Sequence, residues 1–366
     1  MAERLRVAPA VGLGTLEVVA EFYGSMPTGV TVSHDGRVFV CFPRWGDPVD
    51  FTVAELVDGQ PVAYPDQVFN RPNSADPAGS LFSVQSVVVD PANRLWLLDT
   101  GSIGAGPIPP GGPKLVGIDL GQDRVVQTIP FPQDVALPTT YLNDVRFDLR
   151  RGRAGMAFIT DSSPSGPNGI VVVDLDSGQS WRRLHDHPST KPVWAFLPIV
   201  EGQPLMNRPP GQPPSHLRTG ADGIAIGAGG QRLFYCPLAS RRLYSVGVDA
   251  LVDPALSDAQ VAETVIYDGE KGAADGLESD DQGRLYVTNY EHNAVLRRHT
   301  DGTYQTLVQD PRLIWPDTLS VATDRHLYII ANQLHRQPAY HQGQDLRRKP
   351  YYLFRTPIDA GPVLLR

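Results

Sequence analysis

The chain reads as an all-β protein, a six-bladed β-propeller formed as a single domain over residues 1–366. Three observations predict it. A strand, a polar turn and a second strand recur six times along the sequence. Further strand-like runs follow most repeats, giving about four strands per unit. Glycine and proline, 35 and 34 of 366 residues, interrupt the chain too often for long helices.

The elements follow in order. "LEVVAEFY" (16–23) predicts a strand ahead of the first repeat. The repeats are "PTGVTVSHDGRVFVCF" from Pro27, "VQSVVVDPANRLWLLDTG" from Val84, "LNDVRFDLRRGRAGMAFITDSS" from Leu142, "ADGIAIGAGGQRLFYCPL" from Ala221, "ADGLESDDQGRLYVTNY" from Ala274 and "PDTLSVATDRHLYIIANQ" from Pro316. Their turns, such as "HDG" and "DQG", carry hairpin chemistry. Third strands are predicted in "KLVGIDL", "GIVVVDL", "RLYSVGV", "AVLRRHT" and "YLFRTPI"; fourth strands in "RVVQTIPF", "SWRRLHD" and "ETVIYD". Unit spacing runs from 42 to 79 residues, so the ring carries inserts. Those at 185–218 and 334–350 are expected as lid loops, the first ordered because it is rich in both proline and apolar residues. The N-terminal strand is expected to join the last blade and cover its open edge. Cys41 and Cys236 fall on equivalent strands of opposite blades and are expected to remain unpaired.

A net charge of −8 without a basic run argues against a nucleic-acid surface. No run of 18 apolar residues predicts a membrane helix. The segment "MAERLRVAPAVGLGTLEVV" lacks the sustained apolar core of a signal peptide. The expectation is a monomer, cytoplasmic as the sequence stands, with secretion or export to the periplasm left open.

Aligned on the residue before the first strand, the repeats present Thr28, Gln85, Asn143, Asp222, Asp275 and Asp317. In a propeller the innermost strands line the central channel, so this column converges at its mouth. Asp144 adds a further acid. Carboxylates gathered in a narrow channel either take up protons or hold a cation. Oxygen ligands without clustered His or Cys point to Ca²⁺ or Mg²⁺, with Asn143, Asp222, Asp275 and Asp317 as ligands. The competing reading is that each Asp satisfies the amides of its own turn.

A second column lies at the end of each return strand: Arg44, Asp99, Asp161, Pro237, Asn289 and Asn332, with Trp45, Tyr290 and Gln333 beside it. Such a mixture suits a small-molecule pocket, and with Gln85 these residues are the ligand-binding candidates. Arg44 would hold a ligand carboxylate or pair with Asp99. His292 and His335, with Asp317, are the candidates for proton transfer, since imidazole titrates near neutrality; as single residues, both histidines also read as exposed loop positions. Nucleotide-binding glycine loops and the hydrolase elbow are missing from the sequence.

"SVQSVVVDPANRLWLLDTG", "TYLNDVRFD…AFITDSS…GIVVVDLDSGQSWRRL" and "WPDTLSVATDRHLYIIANQLHR" resemble the yellow/major royal jelly protein family, in order over nearly the whole chain. The resemblance implies a six-bladed propeller. Short loops, few cysteines and an Ala/Arg/Pro-rich makeup point to a bacterial member. Functions implied by the resemblance are diverse: pigment chemistry including dopachrome tautomerisation, amine binding, and nutritional or signalling roles. A more distant likeness is to the gluconolactonase/senescence-marker propellers, which hold a divalent metal on Glu, Asn and Asp. Asn143 and Asp275 resemble two of those ligands, and Asp222 stands at an Asn-type position. The Glu is replaced by Thr28, which puts lactonase activity in doubt unless Asp317 supplies the charge.

Three functions follow as expectations. One is a small-molecule enzyme at the channel mouth: a tautomerase, isomerase or lactonase-like hydrolase on an oxygenated cyclic or aromatic substrate, assisted by a divalent ion. The second is a binding protein for an amine or aromatic ligand, whose ring would stack on Trp45, Tyr290 or Trp315. The third is an interaction scaffold. Fold alone does not choose among them.

Overall fold

Each repeat forms a four-stranded antiparallel sheet, and six such sheets make the blades of the ring. The computed structural model describes residues 12–104 and 108–366. The N-terminal segment read above against a signal peptide lies mostly outside them. The innermost strands are Gly29–Val32, Val84–Val89, Leu142–Asp148, Ala221–Ile226, Leu277–Ser279 and Pro316–Val321. Glu17–Phe22 pairs with Tyr351–Pro357, so the last blade is completed by the first strand, as expected. Blade one also has third and fourth strands, Val53–Val57 and Gln60–Ala63, and blade five has a fourth, Tyr304–Gln309. Val53–Val57 and Tyr304–Gln309 mix exposed and buried positions without clear alternation, and Gln60–Ala63 has no buried position, which hides them in the sequence.

The cores sit between blades. Successive side chains on a strand point to opposite faces, so each strand serves both neighbours. Ala157 and Ile159 pack towards blade two with Trp96 and Leu98. Met156 and Phe158 pack towards blade four with Ile224 and Tyr235. This is why the strands read as continuous Val/Ile/Leu runs even though the sheets are antiparallel. Cys41 and Cys236 are buried and unbonded, as expected.

The insert at 185–218 is ordered. It carries a small hairpin, Ile199–Val200 with Gln203–Pro204. Phe196, Val200, Leu205 and Leu217 bury themselves against Tyr290, Trp315 and Leu334. It is tied to the second insert by Arg208 N–H donating to the Ala339 carbonyl and Gln342 N–H donating to that of Arg208, both at 2.8 Å. Two short helices, Val248–Val252 and Asp258–Ala262, interrupt blade four. Among the described residues no helix is long and apolar enough to cross a membrane.

The chain does not end at its last strand. Residues 359–366 run beneath the ring, across the end of the channel opposite the acid column. Asp281 N–H donates to the Gly361 carbonyl, Leu149 N–H to that of Leu365, and Arg366 Nε to that of Pro91. Leu365 is buried in the core between blades three and four. The tail thus links four blades that the strand pairing leaves separate. Leu365→Ala is expected to cost about 2–4 kcal/mol, read as a lower urea midpoint. An unchanged midpoint would show the tail to be peripheral.

Candidate functional site: an acid ring at the channel mouth

The inner strands are irregular where the predicted column falls. Their pairing shifts register between Val84 and Ser86, Leu142 and Val145, Ala221 and Ile224, and Pro316 and Leu319. Such bulges re-aim side chains and leave backbone amides to be satisfied. Threonines on the return strands do this: Thr160 Oγ1 accepts from the Asp144 amide at 3.4 Å, and in blade five, whose pairing begins only at Leu277, Thr288 Oγ1 accepts from the amides of Asp275 and Gly276 at 3.0 Å. The Asp-Gly pairs have a second cause. A Cβ on Gly223 would lie 2.4 Å from the Asp275 carbonyl oxygen, and one on Gly276 would lie 2.2 Å from that of Asp317. Only glycine lets blades four, five and six approach this closely, and the approach draws their aspartates together.

The column does converge. Asn143 Nδ2 donates to Asp222 Oδ1 at 2.7 Å. Asp222 in turn shares a hydrogen bond with Asp275. Trp315 Nε1 donates to Asp275 Oδ2 at 2.7 Å, and Asn332 Nδ2 donates to Asp317 Oδ2 at 2.5 Å. On the other side of the mouth Trp45 Nε1 donates to the Tyr141 hydroxyl, which donates to Gln85 Oε1, both at 2.7 Å. Thr28 is buried against Cys41 and the Gln85 carbonyl.

These acids are deeply enclosed yet keep a little accessible surface, 5% for Asp222, 7% for Asp275 and 6% for Asp317, so each touches the channel space. Burial, then the Asp275 charge, holds Asp222 and Asp317 well above the usual carboxylate range. Asp275 is pushed up to about 6 by burial, opposed by the donors Trp315 and Asp222. Burial and mutual repulsion thus favour the protonated form in all three acids. Asp144 behaves differently: it accepts from Ser86 Oγ at 2.6 Å and pairs with Arg146 at 2.9 Å, and Arg146 also reaches Glu278 at 3.4 Å.

Sequence reasoning missed Arg146, Glu278 and Lys271. Lys271 is 2% exposed; its ammonium donates to the Gly272 carbonyl at 3.0 Å and lies near Cys236, Asp222 and Asp275. Burial lowers its pKa, while the thiol and the two acids act to raise it. Strand alternation from Asp144 would have found Arg146. Nothing local marks Lys271, which comes from a loop.

The second column divides. Asp99 is fully buried, pairs with Lys114 at 2.8 Å and caps the amides of Phe82, Ser83 and Gly101. Asp161 is likewise buried on Arg182, Thr140 and the Tyr141 and Ser163 amides. Both acids build the wall. Arg44 donates to the carbonyls of Phe82 and Asn70, at 2.7 and 2.9 Å, so the expected pair with Asp99 gives way to Lys114. Tyr290 and Trp315 have no accessible surface and stack on each other at 4.1 Å, which removes them as platforms for a ligand ring. Asn332 orients Asp317, and Gln333 binds Arg336 and the backbone of Arg348. His292 is exposed beside Asn289, 3.1 Å away. His335 is buried, pairs with Glu201 at 2.8 Å and stacks on Trp315 at 5.6 Å, so it meets Asp275 only through the indole. Trp315 itself has φ of +56°, a left-handed conformation that strains a bulky residue. The strain places its indole between Tyr290 and His335 with its N–H on Asp275.

The chemistry of the donor set suits a hard cation: three acids stand near one another with one amide. Five acids in the channel, Asp144, Asp222, Asp275, Glu278 and Asp317, face two bases, Arg146 and Lys271. Among the described residues, however, no three His, Cys, Asp or Glu side chains are already gathered around a metal position. An ion would have to compete with protons for these acids and turn the Asn143 amide.

A closed ring of six four-stranded blades with an acid-lined mouth defines the chain as a six-bladed β-propeller. Residues 82–356 match the sequence profile of the major royal jelly protein, and the chain belongs to that family. Protein yellow of Drosophila subobscura is 25% identical over 340 residues, covering 85% of this chain and 56% of its own. The chain spans little more than half the length of the curated relatives it matches. Among solved structures, regucalcin from Agrobacterium tumefaciens, a calcium-binding protein, has a TM-score of 0.57 at 14% identity, covering 96% of this chain and 97% of its own. A gluconolactonase from Xanthomonas campestris has 0.54 at 13%, covering 93% and 89%. At these identities the likeness establishes the fold alone.

The raised pKa values have a consequence for stability. A carboxyl whose folded pKa exceeds its unfolded one contributes most below the unfolded value and loses that contribution as pH rises through the folded value. For Asp275 that window runs from about 3.8 to about 6. Asp317→Asn, which keeps an acceptor for Asn332, is expected to raise stability at pH 7.5 by on the order of 1–3 kcal/mol, read as a higher melting temperature, and much less at pH 4. Equal effects at both values would mean that the acids do not repel.

Proposed function

We propose that the channel mouth is the reaction site of a small-molecule enzyme. It moves a proton on an oxygenated cyclic or aromatic substrate, as a tautomerase or isomerase, with lactone-type hydrolysis as the related reaction. The carrying observation is the convergence of Asp222, Asp275 and Asp317, each held by a donor from the frame, with burial raising all three pKa values, that of Asp275 to about 6. Neighbouring groups with divergent pKa values are what acid–base chemistry near neutrality requires. Asp275, ionised at neutral pH and held by the Trp315 indole, takes the proton from carbon beside a carbonyl. Asp222 or Asp317, held protonated, donates to the carbonyl oxygen as charge develops on it. Asn143 orients Asp222, and Trp45, Tyr141 and Gln85 line the opposite side. A divalent ion, if bound, would be held by Asn143, Asp222, Asp275 and Asp317 and would polarise the same carbonyl.

One observation favours a second reading. The excess of acids over bases in the channel would attract an ammonium group, as in a non-catalytic amine-binding protein.

The test is turnover of δ-lactones and dopachrome. Asp275→Asn is expected to lower kcat by about 10²–10⁴-fold with the fold intact. Activity should rise with pH through about 6 as Asp275 ionises. Trp315→Phe keeps the stack but removes the donor that lowers the Asp275 pKa, so this limb should move to higher pH. Absence of turnover, with tryptamine binding that Asp275→Asn abolishes, would replace the enzyme by the amine-binding reading. Added Ca²⁺ or Mg²⁺ is expected to raise the melting temperature of the wild type but not of the Asp275→Asn, Asp317→Asn double variant. No shift in the wild type would leave proton transfer to the side chains alone.

A further inference from the structure

The two inserts line a cavity of about 560 Å³, separate from the acid ring. Arg208, Arg336, Arg347 and Arg348 line it. Its lining acids, Glu201 and Asp345, number two, so the cavity is basic on a chain of net charge −8.

The two acids are already engaged. Glu201 holds Arg336 and His335, and burial notwithstanding, these partners pull its pKa down to about 2. Asp345 holds Arg347 at 2.7 Å, with Asp47 as that arginine's second carboxylate. The other two arginines are left over. Arg208 has one contact from its guanidinium, 3.5 Å to the Pro204 carbonyl. Arg348 uses its backbone to hold Gln333, and its guanidinium has no partner among the described residues. Arg208 is half-buried and Arg348 is exposed, but both line the same cavity, with Leu205, Tyr340 and the rim residue Leu346 supplying an apolar side. A few convergent polar groups on an apolar wall, in a cavity of some 300–1,000 Å³, is the usual makeup of a ligand pocket. Guanidinium forks match the oxygens of phosphates and carboxylates.

We propose that this cavity binds a small organic polyanion, its phosphate or carboxylate groups held by Arg208 and Arg348. The site is distinct from the acid ring, which would repel such a ligand. The inserts form it jointly: Arg208 comes from the first and Arg348 from the second, and their backbones are hydrogen-bonded together.

Calorimetric titration of the intact chain with pyrophosphate, citrate and phenyl phosphate at low ionic strength tests it. At least one of these is expected to bind with one-to-one stoichiometry, and salt should weaken it. The phosphate and carboxylate arms decide which group is recognised. The Arg208→Ala, Arg348→Ala double variant should retain the wild-type circular dichroism and lose affinity by roughly tenfold or more. Asp275→Asn should bind as the wild type does. The proposal fails if none of the three probes binds, if the double variant binds unchanged, or if Asp275→Asn tightens binding by removing a repelling charge and so places the anion in the channel.

Discussion

The site depends on how closely the inner strands of blades four, five and six approach one another. Gly223 and Gly276 let a neighbouring backbone carbonyl sit where a Cβ would be. That contact closes the ring on this side, and it forces three carboxyls into one poorly solvated space. The protein then manages the charge with donors from its own frame: an amide on Asp222, an indole on Asp275, an amide on Asp317. What remains is held as protons. The same packing therefore sets both the architecture and the acidity of the mouth.

The cover over the mouth works through Trp315. Its left-handed backbone leads into the last inner strand. Its ring is clamped between Tyr290 and His335, and its N–H is committed to Asp275. His335 is in turn paired with Glu201 of the first insert. A continuous chain of contacts thus runs from the insert to the proton-sharing pair. At the other end of the channel the C-terminal tail crosses beneath four blades. The two ends of the channel are finished by different devices, one from inserts and one from the terminus.

Much of the fold was legible, because the six repeats share continuous apolar strand runs and carry their turn residues at the same place. The strands that escaped, Val53–Val57, Gln60–Ala63 and Tyr304–Gln309, lie towards the rim, where burial on one side only leaves a weaker pattern. The column Asn143, Asp222, Asp275 and Asp317 was legible for the same reason as the strands: register carries a residue's position around the ring. The second column was not, because identical register there serves different ends. Asp99 and Asp161 became buried caps with their own cations, while Asn332 became the partner of Asp317.

By itself the sequence determined the blade number, the closing strand and the set of acids that meet at the mouth, since each follows from a repeat counted in residues. How far the pKa values of these acids rise was decided only in three dimensions. That depends first on burial, then on the acids' charges on one another and on Lys271 and Trp315, which come from a loop and a different blade and meet them only when the ring closes. The basic cavity between the inserts was likewise invisible beforehand. Arg208 and Arg348 stand 140 positions apart in the sequence, and only the docking of one insert on the other brings them to a common space.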